Sequence, residues 1–215
     1  MFSSSGDIQE VKKMKRNVSI FVFDKVDILD VTGPFEVFSL AEYDDTKEKC
    51  FNVRLITETS DAVTATHGFR FFGHETIRDF TVPDILIIPG GYGAEQVELK
   101  KETVCSWIKN LYPRLKTLAS VCTGVFILTE SGVLSSGPAT THWMDQKRLA
   151  ADYPALNVLP DRRFVENGRI ITSGGISAGI DMSLQLVTKY ISPEVAKATA
   201  KRLEYSADEE VFYPS

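Results

Sequence analysis

The sequence predicts an α/β fold in which a mostly parallel sheet is covered by helices on both faces. Three observations predict it. Residues 17–24 (NVSIFVFD), 84–89 (DILIIP) and 116–121 (KTLASV) are short runs with the unbroken hydrophobicity of strands buried on both sides. Segments with helical periodicity or capping signals lie between the strand-like runs. The alternation continues along the chain without an internal repeat or a linker, as βα units do, and such a sheet places function at the carboxyl ends of its strands.

Taken in order, residues 17–24 form the first central strand. Thr32-Gly33-Pro34-Phe35-Glu36 reads as a helix start, with Pro34 at the first helical position and Glu36 in the first turn, and this helix runs to about Tyr43. Residues 51–57 (FNVRLIT) are a second strand, and 63–72, interrupted by His67-Gly68, suit a short hairpin. The 84–89 strand ends in Gly90-Gly91-Tyr92-Gly93, a loop whose backbone can approach a ligand closely. A helix over 102–111, a strand over 116–121 and a helix over 123–130 closed by Gly132 follow. Residues 143–151 suit a helix, 163–171 a hairpin around Asn167-Gly168, and 177–190 another helix. A last helix begins at Ser192-Pro193-Glu194 with Ser192 as its cap.

Composition narrows the function classes. The 215 residues are 43% hydrophobic and 25% charged, enough for one sizeable core, so one domain is expected over 17–215. Residues 1–16, rich in Ser, Lys and acidic side chains, lack the apolar segment of a secretory signal and are expected to be a flexible tail. Net charge is −5 with scattered Lys and Arg, so no basic stripe exists to neutralise phosphates and nucleic acid is not an expected partner. No apolar run approaches the ~20 residues that span a bilayer, so no membrane association is expected. Cys50, Cys105 and Cys122 are an odd number without CxxC spacing, which fits a reducing, cytoplasmic location. His67, His74 and His142 show no HxxH or HxxxH spacing, and neither a metal nor an organic cofactor is expected.

Cys122 carries the strongest chemical signal. It stands where a strand turns into a helix that opens with the small Thr123-Gly124. Unpaired amides and the helix dipole at that point favour a thiolate, so a lowered thiol pKa is expected, from ~8.5 in free cysteine. Val125, Phe126, Ile127 and Leu128 are apolar around nearly the whole helix, which would brace the sulfur. The competing reading is a small buried hydrophobe. Cys50 and Cys105 lack the same seat and read as structural. Thr123 either caps the helix or, with the amide of Gly91, faces a developing negative charge. Asp30, on a loop after the first strand, either carries a proton across the crevice from Cys122 or is a solvated or capping group, with Asp27 close by. His142 is either a catalytic partner or a histidine that orients a loop.

Four segments appear in order: Asp30-Val31-Thr32-Gly33-Pro34, Ile88-Pro89-Gly90-Gly91, Ser120-Val121-Cys122-Thr123-Gly124 and Ala139-Thr140-Thr141-His142-Trp143. Together they resemble the ThiJ/PfpI superfamily (class I glutamine amidotransferase-like) over about residues 17–205. The Cys-Thr-Gly, Thr-Thr-His-Trp and Gly174-Gly175-Ile176-Ser177-Ala178-Gly179-Ile180-Asp181 segments are similar to its isocyanide (isonitrile) hydratase branch. The resemblance implies a flavodoxin-like three-layer sandwich and a homodimer acting on a small-molecule substrate. It places Cys122 at the nucleophile position, Asp30 at that of the accompanying acid and Thr123 at the hydratase threonine. Gly90 and Gly91 fall on the oxyanion loop, Ile176 on the loop closing the pocket, and His142 on a histidine shared by several branches. Ser173 and Ser177 stand where Gly and Thr are expected.

The activity so implied is that of a cysteine-dependent hydro-lyase, adding water to an isocyanide to give an N-substituted formamide through a Cys122 thioimidate. Glyoxalase- or deglycase-like action on α-oxoaldehydes and a redox or ligand sensor without turnover are the alternatives. A regulatory relative would carry a helix-turn-helix, for which the residues after Tyr205 are too few.

Overall fold

A computed structural model describes residues 15–213, so residues 1–14 of the expected tail lie outside the described residues. Strand β1 (Arg16–Phe21) leads to α1 (Ile28–Leu40) and β2 (Phe51–Thr57). The short strands β3 (Val63–Thr64) and β4 (Arg70–Phe71) pair antiparallel as the anticipated hairpin, followed by β5 (Glu75–Thr76). Then come β6 (Ile85–Ile88), α2 (Tyr92–Gln96), α3 (Glu102–Leu111), β7 (Thr117–Ser120) and α4 (Val125–Glu130). The remainder comprises β8 (Gly137–Ala139), α5 (Gln146–Asp152), β9 (Leu156–Val158), β10 (Phe164–Asn167), β11 (Ile170–Ser173), α6 (Ala178–Tyr190), α7 (Pro193–Arg202) and α8 (Glu209–Phe212).

Seven strands form one sheet in the order β10-β11-β7-β6-β1-β2-β5. Every neighbouring pair is parallel except the β10–β11 hairpin. The central strands are apolar because both faces are covered: Ile20, Ile85, Leu86, Ile87, Ile88 and Leu118 are fully buried. Register matters for function. Ile88 pairs with Ser120 and Ser120 with Thr172, so β6, β7 and β11 end level with one another. Their following loops, with the one after β1, therefore open onto one edge. The chain leaves β1 for β2 on one side and returns to β6 on the other, and ligands bind at such a switch of strand order.

Three local expectations are corrected. Helix α1 begins at Ile28, and Pro34 lies inside it. Proline removes the N–H that would bond the Asp30 carbonyl, a loss of roughly 3 kcal/mol in an isolated helix. Close packing on α6 offsets it: a Cβ on Gly33 would lie 3.0 Å from Ile180 Cγ1, and Pro34 Cγ packs near Gly179. Asp30 is consequently a buried first-turn residue of a helix rather than a loop residue. Helix α5 begins at Gln146, because residues 143–145 form a turn closed by the Asp145 N–H on the His142 carbonyl (2.8 Å). Helix α4 is preceded by a single 3-10 turn, Cys122–Gly124, so Thr123 and Gly124 belong to the turn. Ser192 caps α7 as read from sequence, accepting the Val195 N–H at 3.2 Å.

Candidate active site

Four adjacent strands deliver the candidate residues: Asp30 after β1, Gly90 and Gly91 after β6, Cys122 after β7 and Ile176 after β11. Cys122 has φ 55, the left-handed region that a side chain adopts only when its surroundings hold it there. They do so from both sides. Its N–H donates to the Gly174 carbonyl (3.1 Å), and its carbonyl accepts the Thr141 hydroxyl (2.8 Å). Gly90 is required for the turn to dock, since a Cβ there would lie 2.5 Å from Thr123 N. All four apolar residues of α4, Val125 to Leu128, are buried and brace the turn as the sequence indicated.

Asp30 is wholly buried. Its Oδ2 accepts the Gly90 N–H (2.9 Å), whereas Oδ1 has no hydrogen-bond partner among the described residues. Asp27, Asp30 and Cys122 each present one atom within 4.8 Å of the others. Burial is the main cause that raises Asp30 to about 7, opposed by the Gly90 amide and reinforced by Asp27. Two carboxylates and a sulfur this close are also a donor set for a metal ion, although Asp27 is engaged by the Thr66 hydroxyl at 2.8 Å.

The expected lowering of the Cys122 thiol is corrected. Burial, and then the Asp30 carboxylate, push it up; the Thr123 and Ile176 amides oppose them, and Asp27 adds to the rise. The helix-end effect is thus outweighed in a residue only 4% exposed beside a negative charge. The two groups constrain each other. When Asp30 carries a proton its charge no longer opposes the thiolate, so Asp30 and Cys122 titrate as a pair that holds one proton between them above about 7.

The oxyanion expectation for Gly90 and Gly91 changes as well. The Gly91 N–H donates to Thr123 Oγ1 (3.0 Å) and the Gly90 N–H to Asp30, so both glycine amides are engaged. The amides that favour the thiolate are those of Thr123 and Ile176. Ile176 has φ 50, and its amide also lowers Asp30, with no hydrogen bond to the free Oδ1. His142 is outside the Asp27–Asp30–Cys122 group. Its ring packs on Gly175, where a Cβ would lie 2.0 Å from Cδ2, and its Nδ1 is 3.8 Å from Asp145 Oδ2, beyond hydrogen-bond length. It lines a cavity of about 500 Å³ with Thr141, Trp143, Gln146, Arg162 and Ile176, in which Trp143 is 73% exposed.

Sequence reasoning assigned no role to Thr141 or Gly174. Each grips the backbone of Cys122, and bonds of side chains or carbonyls to a distant backbone leave no periodic signal. Both fell within segments singled out for their resemblance, but only the fold revealed their bonds.

Residues 16–189 match the model of the DJ-1/PfpI family. An isonitrile hydratase of Pseudomonas putida is 31% identical over 194 residues, covering 90% of this chain and 80% of that protein. The HTH-type transcriptional regulator CdhR of Pseudomonas aeruginosa is 27% identical over 62% of this chain and 39% of its own length. Among solved structures, a ThiJ/PfpI family protein from Pseudomonas syringae superposes with a TM-score of 0.79 at 24% identity, covering 97% of this chain and 83% of that one. On the family match, the similarity along nearly the whole chain and the shared fold, this chain belongs to the DJ-1/PfpI family.

Proposed function

We propose that the protein hydrates an isocyanide to an N-substituted formamide, with Cys122 as nucleophile and Asp30 as proton carrier. The carrying observation is the buried Asp30 carboxyl, with one unpartnered oxygen, in the same 4.8 Å cluster as the Cys122 sulfur. A carboxyl raised to about 7 holds a proton where a reaction near neutrality uses one. The isonitrile hydratase similarity supports this substrate class.

In the one-proton state, Asp30 takes the thiol proton as the sulfur attacks the terminal isocyanide carbon, and gives it to the same carbon. The product is a thioimidate, Cys122–S–CH=N–R. Asp30, now ionised, accepts a proton from a water that attacks the CH carbon. It returns that proton to nitrogen, and as the C–S bond breaks the remaining hydroxyl proton passes to Asp30, releasing R–NH–CHO and restoring the one-proton pair. Thr123 and Ile176 amides favour negative charge on the sulfur, and the Thr123 hydroxyl, held by Gly91, orients the water. His142 has no proton-transfer step and shapes the cavity wall. A homodimer is part of this reading, consistent with the exposed Phe69 and Phe72 on the hairpin region.

Incubation with an aryl isocyanide should yield the formamide by mass spectrometry. No product, or undiminished turnover in Cys122→Ala, removes the assignment. The CdhR similarity favours a second reading, a cysteine sensor without turnover. The buried, upward-shifted thiol opposes it, because oxidation by peroxide follows thiolate character and exposure. Methylglyoxal consumption distinguishes oxoaldehyde chemistry from both.

A further inference from the structure

Ile176 is a β-branched residue in a left-handed conformation on the loop whose Gly174 carbonyl holds the Cys122 N–H, and its amide favours the charged forms of Cys122 and Asp30. What holds its loop therefore sets the polarity around the sulfur. Two tethers meet at Arg163. Through the backbone, the Arg163 carbonyl accepts the Gly174 N–H (2.9 Å), and the Gly174 carbonyl in turn accepts the Cys122 N–H. Through the side chain, Arg163 Nε donates to Asp181 Oδ2 (2.5 Å), and Nη1 and Nη2 donate to Ser177 Oγ at 3.3 Å. Tyr205 closes the clasp, donating its hydroxyl to Asp181 Oδ1 at 3.0 Å. Asp181 sits in the first turn of α6, one turn beyond Ser177, with its side chain 7% exposed and both oxygens paired. The clasp thus ties a sheet end, the 174–177 loop, a helix start and the segment after α7 into one unit.

We infer that Arg163, clamped by Asp181 and Tyr205, is a positioning residue for the reaction proposed above, fixing the 174–177 loop that holds the Cys122 backbone through the Gly174 carbonyl and carries the Ile176 amide. It acts through the loop, not on the sulfur. The charged groups that bear on Cys122 are Asp30 and Asp27, both at the start of α1, and Arg163 is not among them. A change in sulfur titration when Arg163 is replaced consequently reports displacement of the loop rather than loss of a nearby charge.

The test compares Arg163→Met, Arg163→Lys and Asp181→Asn with wild type in two assays. One measures kcat and KM on an aryl isocyanide; the other measures the pH dependence of iodoacetamide labelling at Cys122 by peptide mass mapping. Loss of the amide should lower kcat by about tenfold or more with little change in KM. It should also move the labelling midpoint to higher pH, with Arg163→Lys recovering part of both effects. A folded Arg163→Met variant with the wild-type labelling profile overturns the inference. Should that variant fail to fold, Tyr205→Phe decides: a smaller shift in the same direction is expected, and an unchanged profile overturns it. If wild type makes no formamide, the hydratase reading fails while the labelling arm still judges the clasp.

Discussion

At the scale of single residues, Asp30 is a charge site that the fold does not favour. Its folded value of about 7 lies above the ordinary 3.8. Below pH 3.8 it is protonated in both the folded and unfolded chain and has no effect. As pH rises from there towards 7, the unfolded chain releases the proton first, so stability falls through that window by on the order of 4 kcal/mol. Asp30→Asn should therefore gain stability over wild type between pH 4 and pH 8 in urea denaturation, with the two alike near pH 3.5. A stability difference that does not change with pH would contradict the burial argument. The same substitution removes the carboxylate that opposes the thiolate, so Cys122 should alkylate faster in it at pH 8 while formamide production falls at least 100-fold. For wild type, kcat/KM should rise as pH passes about 7, where the fully protonated pair loses its first proton. A rate that falls through that range would point to a different active form.

The turn and helix that follow β7 show what was legible in the sequence at the scale of elements, and what was not. The apolar sequence of α4 announced a buried helix, and its position after a strand announced the sulfur's seat. The strand over 51–57 and the helix over 102–111 also have the bounds read from sequence, each set off by a clear change of hydrophobic period. Pro34 misled, because the packing of α1 on α6 that tolerates it involves residues far along the chain. The sign of the Cys122 shift was illegible for a similar reason: it depends first on how deeply packing buries the sulfur's turn and then on Asp30 lying beside it across the strand order. Strand β9 and helix α8 gave little signal, being three and four residues long. Because α4 braces the turn, Ile127→Ala, at a fully buried position, should destabilise the protein by about 2–5 kcal/mol in denaturant titration. An effect below about 1 kcal/mol would show that the helix is not held as tightly as its burial indicates.

For the whole molecule, sheet order is what turns separate segments into a site. Residues 30, 90, 122 and 176 are widely spaced in sequence but follow four neighbouring strands, and only parallel pairing in this order sets their loops on one edge. Recognition of the α/β class from alternating periods thus located the edge, whereas the bonds at that edge emerged only in three dimensions. The clasp of Arg163 on Asp181 spans eighteen residues and joins two elements. Among the described residues no helix is long and apolar enough to cross a membrane. On the homodimer proposed above, light scattering should give twice the 23.9 kDa chain mass. A chain mass that stays single at micromolar concentration would remove the homodimer from the proposal.

The proposed chemistry places a covalent bond between substrate and one sulfur. Acid quenching during turnover of an aryl isocyanide, followed by peptide mass spectrometry, examines that bond directly. The peptide containing Cys122 should gain the mass of one isocyanide, and the gain should disappear as substrate is exhausted. Formamide accumulating with Cys122 unmodified, or with an equal adduct on Cys50 and Cys105, would contradict it.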